Sequence, residues 1–247
     1  IYDGQPHAPE ARRIPDRAAY NPANPATYDV LPVGGAMTDA GVYYAYILPC
    51  NYEIDDADAD CMFEIRPREI TVQWSGVNGG TSAADFEYTY NGLAQGPSVT
   101  VTGGTNGLQC NLKPVIKYVD AGSYTAYAEA DSGNFVILNG ASQNFTVKKM
   151  TINPNDVVWA GVNGGTSAND FKFAADGNPH APTATLELTI NGAQVTITLK
   201  VTGATAAVGT HKAYATLDSS DIRNANFTLS GAEKIFTVEE SAIRAIM

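Results

Sequence analysis

The residues from Trp74 to Gly92, WSGVNGGTSAADFEYTYNG, return as WAGVNGGTSANDFKFAADG from Trp159 to Gly177. A fixed period decides an architecture before any single element does, because every copy must fold to the same unit. Three further phrases keep register with it. YDGQPHAP, starting at Tyr2, is answered by YNGLAQGP from Tyr90 and ADGNPHAP from Ala175, so that Gly4, Gly92 and Gly177 stand 88 and 85 positions apart. DAGVYYAY, from Asp39, returns as DAGSYTAY from Asp120 and, altered, as AVGTHKAY from Ala207. Stretches opening at Asn51, Asn134 and Asn226 close each copy. The order is constant, which reads as three copies of a module of about 85 residues, a size that closes a modest core.

Local pattern sets the type of module. Runs such as EITVQW, PSVTVTG, SYTAYAEA, TATLELTI and AQVTITLKV alternate, are rich in Val, Ile, Thr and aromatics, and end at Gly, Asn, Asp or Pro, which is the signature of short strands. No dozen residues hold an apolar period of 3.6, so helices are expected to be single turns. Asn139-Gly140 and Asn191-Gly192 each separate two such runs, and Asn-Gly supplies the positive φ angles of a two-residue hairpin turn. About seven strands per 85 residues predict a sandwich or small barrel.

The DAGxYxA phrase narrows this to a sandwich of immunoglobulin type, in which a tyrosine near the start of the penultimate strand turns its hydroxyl back onto the preceding corner. Tyr43 and Tyr124 hold that place. Ala45 and Ala126 stand where antibody domains put a core cysteine, and the third copy has His211 for the tyrosine and Ala207 for the aspartate, so its corner is expected to be held differently. The sequence therefore predicts an all-β protein of three tandem immunoglobulin-like antiparallel β-sandwich domains: 1–66, lacking its N-terminal strand and carrying an irregular insertion at 10–38; 67–148; and 149–240. The order YDGxPHxP, DAGxYxAY and NFxxxxxxxxxFTVKK resembles the bacterial immunoglobulin-like repeats of the MBG/YDG group found in large surface and adhesin proteins. That resemblance covers all three copies and implies a module strung in tandem on an extracellular protein. It implies nothing about a ligand.

Net charge is −11, with 11 acidic and 4 basic side chains in residues 1–66 alone. Such a surface repels nucleic acid and anionic lipid, and no apolar run approaches the length of a membrane span or signal peptide. Cys50 and Cys61 flank the acidic loop of the first copy and could bridge it in an oxidising compartment, leaving Cys110 alone. Three reduced cysteines are the alternative.

Several residues suggest chemistry, each with a plainer reading beside it. Asp55 to Asp60 alternate carboxylates as a calcium loop does, but the glycine and the bidentate glutamate of such a loop are missing, and a solvated acidic loop is favoured. His7 and His180 recur in one phrase, yet Gln95 replaces them in the second copy, which points to turn packing. Trp74 and Trp159 could stack on sugars or cover the end of a core. Asn144 and Asn226 each open an N-glycosylation triplet. No nucleophile elbow, HExxH or phosphate loop is present, so no enzyme, metal or cofactor is expected.

The repeated phrase reads as a leader strand, a Gly/Asn-rich turn and a second strand. The first copy has no leader, and Ser241, Ala242, Ile243, Arg244, Ala245, Ile246 and Met247 read as the start of another. Either these are limits of a piece of a longer array, or the tail strand completes the first copy of a neighbouring molecule, a head-to-tail homopolymer built by strand addition. In the insertion, Arg12, Arg13 and Arg17 could face an acidic neighbour. The expected function is that of an extracellular stalk, adhesin shaft or filament subunit whose partner is itself or further repeats. The alternative is a carbohydrate-binding surface module using aromatics such as Trp74, Tyr88 and Tyr90, with the host or glycan ligand unknown.

Overall fold

The computed structural model describes residues 1–12, 30–31, 33–47 and 61–240. Within them the protein is all-β, with short strands joined by turns and by 3-10 helices of at most five residues. Among the described residues no helix is long and apolar enough to cross a membrane. The chain packs as two compact units. The first is drawn from Ile1–Ser75, Pro97–Ile116 and Ala126–Gln143, the second from Gly76–Gly96, Lys117–Thr125 and the chain from Asn144 on. The sequence copy 67–148 thus contributes to both.

In the first unit Arg68–Ser75 is the middle strand of three, antiparallel to Ser98–Gly103 and parallel to Phe135–Asn139. Its period of two is visible in burial: Ile70 and Trp74 point inward while Glu69, Thr71 and Gln73 face out, as the pleat requires. A second sheet orders Val33–Gly34, Gly41–Ile47 and Cys61–Ile65.

In the second unit Thr183–Ile190 and Ala193–Ile197 form an antiparallel hairpin. Asn191 and Gly192 both have positive φ, at 49° and 80°, the backbone of a two-residue type I′ turn. This hairpin brings Leu186, Ile190 and Ile197 together with Ile152 and Phe227 in one core cluster. Phe171, Phe173, Ala213, Phe236 and Val238 form another, under the sheet of Lys172–Ala174, Glu233–Glu239, Gly209–Leu217 and Leu199–Thr202.

Two expectations are corrected. The sheets are not purely antiparallel: Phe135–Asn139, Thr146–Lys148, Met150–Ile152 and Lys172–Ala174 all have parallel partners. Parallel neighbours cannot be joined by a tight turn, so each of these pairs is made by segments about 60 or more residues apart. The pair Asn139-Gly140 does not close a hairpin either. Phe135–Asn139 takes its ladder from Arg68–Thr71, while Ser142–Lys148 lies in another sheet. The Trp74 indole N–H donates to the Gly140 carbonyl at 2.6 Å, so the turn is tied to a different strand from the one a hairpin would use.

The repeated phrase folds the same way twice. Gly76 N–H donates to Gly80 O at 2.7 Å and Gly161 N–H to Gly165 O at 2.8 Å. Asn78 and Asn163 sit at φ/ψ of 53°/25° and 52°/26°, conformations that asparagine tolerates. The amide and hydroxyl of Ser82 donate to Asp85 Oδ2, and those of Ser167 to Asp170 Oδ2, fixing the short helices Ala83–Phe86 and Ala168–Phe171 that plunge Phe86 and Phe171 into the interior.

Candidate functional site

The corners come first, because they place everything else. Tyr43 Oη donates to the Asp39 carbonyl at 3.0 Å and Tyr124 Oη to the Asp120 carbonyl at 2.8 Å. The ring folds back over the intervening glycine: a Cβ at Gly41 or Gly122 would lie 2.9 or 3.0 Å from the tyrosine oxygen. In the third copy His211 Nε2 meets the Ala207 carbonyl at 2.8 Å. The expectation of a differently held corner is corrected here, since an imidazole N–H reaches the same i−4 carbonyl that the phenol does.

A fixed corner presents one carboxylate and one free amide outward, and an asparagine far along the chain takes both. Asn134 Oδ1 accepts from Ala40 N–H at 2.6 Å and its Nδ2 donates to Asp39 Oδ1 at 2.8 Å. Asn226 Oδ1 accepts from Ala121 N–H at 2.6 Å and its Nδ2 donates to Asp120 Oδ1 at 2.9 Å. The next residue completes each contact. Phe135 meets Tyr2 edge to face at 5.4 Å, and Phe227 meets Tyr90 at 5.3 Å, both at 81°. Beside them Gly4 and Gly92 allow close approach, for a Cβ there would press on Leu108 or Ile190 at 2.9 Å. Asn226 is 7% exposed; burial of an amide is tolerated when donor and acceptor are both paired. Each clasp lies inside one compact unit, the first in unit one and the second in unit two.

Outside the clasps the lowered carboxylates serve turns and the starts of short helices. Asp3 is held below the usual carboxylate range by the Gln5 amide and His7, and Asp176 by the Asn178 amide and His180. Asp85 and Asp170 are lowered by their serines, Asp218 by Ser220, and Asp221 further still by Arg223 and Thr198. Burial pushes the Cys110 thiol up, away from nucleophilic thiolate character. Hollows of about 470, 390 and 400 Å³ are lined in part by charged groups that have partners, Glu87 with Lys148, Lys113 with Glu129, Asp120 with Asn226 and Arg223 with Asp221, and the second of them also by Asp131. Among the described residues no three His, Cys, Asp or Glu side chains cluster as metal ligands do.

Known protein families, characterised proteins and solved structures offer no match to this chain.

Several residues singled out in the sequence find places. His7 and His180 bond Asp3 and Asp176 across one turn at 2.7 and 2.8 Å. Trp74 is 7% exposed and Tyr90 lies against Phe227, so neither is an exposed platform. Among the described residues the exposed aromatics are Tyr44, Tyr127 and Tyr214, at 65%, 71% and 45%. Asn144 stands exposed on Ser142–Lys148 with Thr125 Oγ1 donating to its Oδ1, whereas Asn226 is buried in its clasp. The proposed disulfide lies outside the described residues, as Cys50 is not among them and only the backbone of Cys61 is. So do the acidic loop 55–60, Arg13, Arg17, the side chain of Arg12 and the tail Ser241–Met247. In the sequence Asn134 and Asn226 stand as the first residues of the stretches that close their copies, Asn226 also opening a glycosylation triplet. The signal for their role was that Asp39 and Asp120 recur with equal fidelity, although nothing local links an aspartate to an asparagine about a hundred residues on.

Proposed function

We propose that this chain is a non-enzymatic, extracellular structural protein of tandem immunoglobulin-like repeats, acting as a stalk, adhesin shaft or filament subunit. The observation that supports this reading is the clasp: the same asparagine amide, aspartate, aromatic pair and glycine approach join copy one to copy two and copy two to copy three. A binding protein or enzyme invests its defined polar geometry in a pocket, whereas here that geometry is spent on repeat-to-repeat contact. Function in such a protein is spacing, stiffness and self-association.

The test sets the intact chain beside one ending at residue 240, by sedimentation and negative-stain imaging, with a panel of glycans offered to both. No saturable glycan binding is expected from either. Filaments from the intact chain alone mark a polymerising subunit joined through Ser241–Met247; monomers from both mark a shaft. Saturable glycan binding that is lost on Tyr127→Ala, with assembly unchanged, overturns the structural reading in favour of a carbohydrate-binding module.

A further inference from the structure

The face that grips the next repeat is built from two stretches: Tyr2, Gly4, Asp39 and Ala40 in the first repeat, and Tyr90, Gly92, Asp120 and Ala121 in the second. The matching positions of the third repeat are Ala175, Gly177, Ala207 and Val208. The aromatic edge and the carboxylate are both gone.

The loss is selective. The corner beneath this face is still closed, by His211 on the Ala207 carbonyl at 2.8 Å. The turn behind it is still tied by His180 on Asp176 and by the mutual backbone bonds of His180 and Thr205. What has gone is the set of side chains that reach outward to another repeat.

We infer that the outer face of the third repeat is a dismantled docking surface, one that does not take another repeat of this kind by the clasp. The inference rests on the tandem-repeat reading and adds a direction to it: the clasped run has a gripping side at its first and second repeats and none at its third. An incoming asparagine would find no carboxylate for its Nδ2, and its neighbouring aromatic would find Ala175 in place of a ring, so a polar group would be buried with one partner missing.

The experiment gives the second repeat the face that the third already has. In the full chain, Tyr90→Ala with Asp120→Ala is compared with the parent by amide hydrogen exchange, read at Ala121, whose N–H is held by Asn226. Protection at Ala121 is expected to fall by at least about tenfold. Amides of Gly209–Leu217 and that of Ala40 in the first clasp should keep theirs, showing that the third repeat is folded and the first junction untouched. If Ala121 stays protected to within about twofold, a face of the third repeat's kind still docks a repeat and the inference is overturned. Should the double variant lose the Gly209–Leu217 protection, Asp120→Ala alone is read by the same two criteria. Failure here leaves glycan binding and assembly as they were, so it is distinct from failure of the structural reading.

Discussion

Gly76 and Gly79 belong to one loop and are glycines for different reasons. At Gly76 a Cβ would sit 2.0 Å from the Asp85 carbonyl oxygen, a backbone atom that cannot swing aside, although φ there is an ordinary −101°. At Gly79 there is open space but φ is 77°, so an added methyl meets only the left-handed penalty of about 1 kcal/mol. Gly76→Ala is therefore expected to cost about 3 kcal/mol or more, as backbone displacement in a packed turn does. Denaturant midpoints of the two variants measure this, and equal costs would refute the steric account. Gly161 and Gly164 should repeat the contrast, since their surroundings match to within 0.1 Å.

Between elements, the clasp turns a side-chain pair into a joint. Asn226→Ala leaves the half-buried Ala121 amide and the exposed Asp120 carboxylate without their partner, at a cost of about 1–2 kcal/mol. Asn226→Asp should be worse, because it sets a second carboxylate about 3 Å from Asp120, a like-charge contact of several kcal/mol before relaxation. A double-mutant cycle of Asp120→Ala with Asn226→Ala should return a coupling of about 1–2 kcal/mol, and a coupling near zero would mean that the Asp120–Asn226 side-chain bond adds nothing to the joint, which then rests on the Ala121 amide and the aromatic pair. How much of this was legible follows from what each signal encodes. Strand identity was readable from period two, and Asn191-Gly192 from its positive φ demand, because both are local. Asn139-Gly140 carries the same letters but not the same pairing, since the seat beside Phe135–Asn139 is occupied in parallel by Arg68–Ile70, and no local rule announces a partner about 65 residues back. The clasp was hidden for the same reason: its letters repeat in plain view, but Asp39 and Asn134 are 95 positions apart.

At the scale of the whole molecule, the lowered carboxylates are unevenly shared. Asp85, Asp170, Asp176, Asp218 and Asp221 lie in the second compact unit, and among the described residues only Asp3 is a lowered carboxylate of the first. A carboxylate whose folded pKa lies below its unfolded value contributes stability that is present above the unfolded value, about 4, and is lost as pH falls through the folded one. Lys212 and Arg223 are shifted the other way by Glu233 and Asp221, so their contribution is complete at neutral and acid pH and fades only above about 10. Acid thus removes support mainly from the second unit. The net charge of −11 works against this between about pH 7 and 4, because titrating carboxylates relieves self-repulsion everywhere at once; the unit-specific loss belongs below about pH 4, where the paired carboxylates protonate. The two tryptophans report on it separately, Trp74 from the first unit and Trp159 from the second. In an acid titration of Trp74→Phe and Trp159→Phe chains, the remaining Trp159 signal should change at a higher pH than the remaining Trp74 signal. Superimposable transitions would show that the carboxylate turns do not set acid stability and that the chain responds as one body.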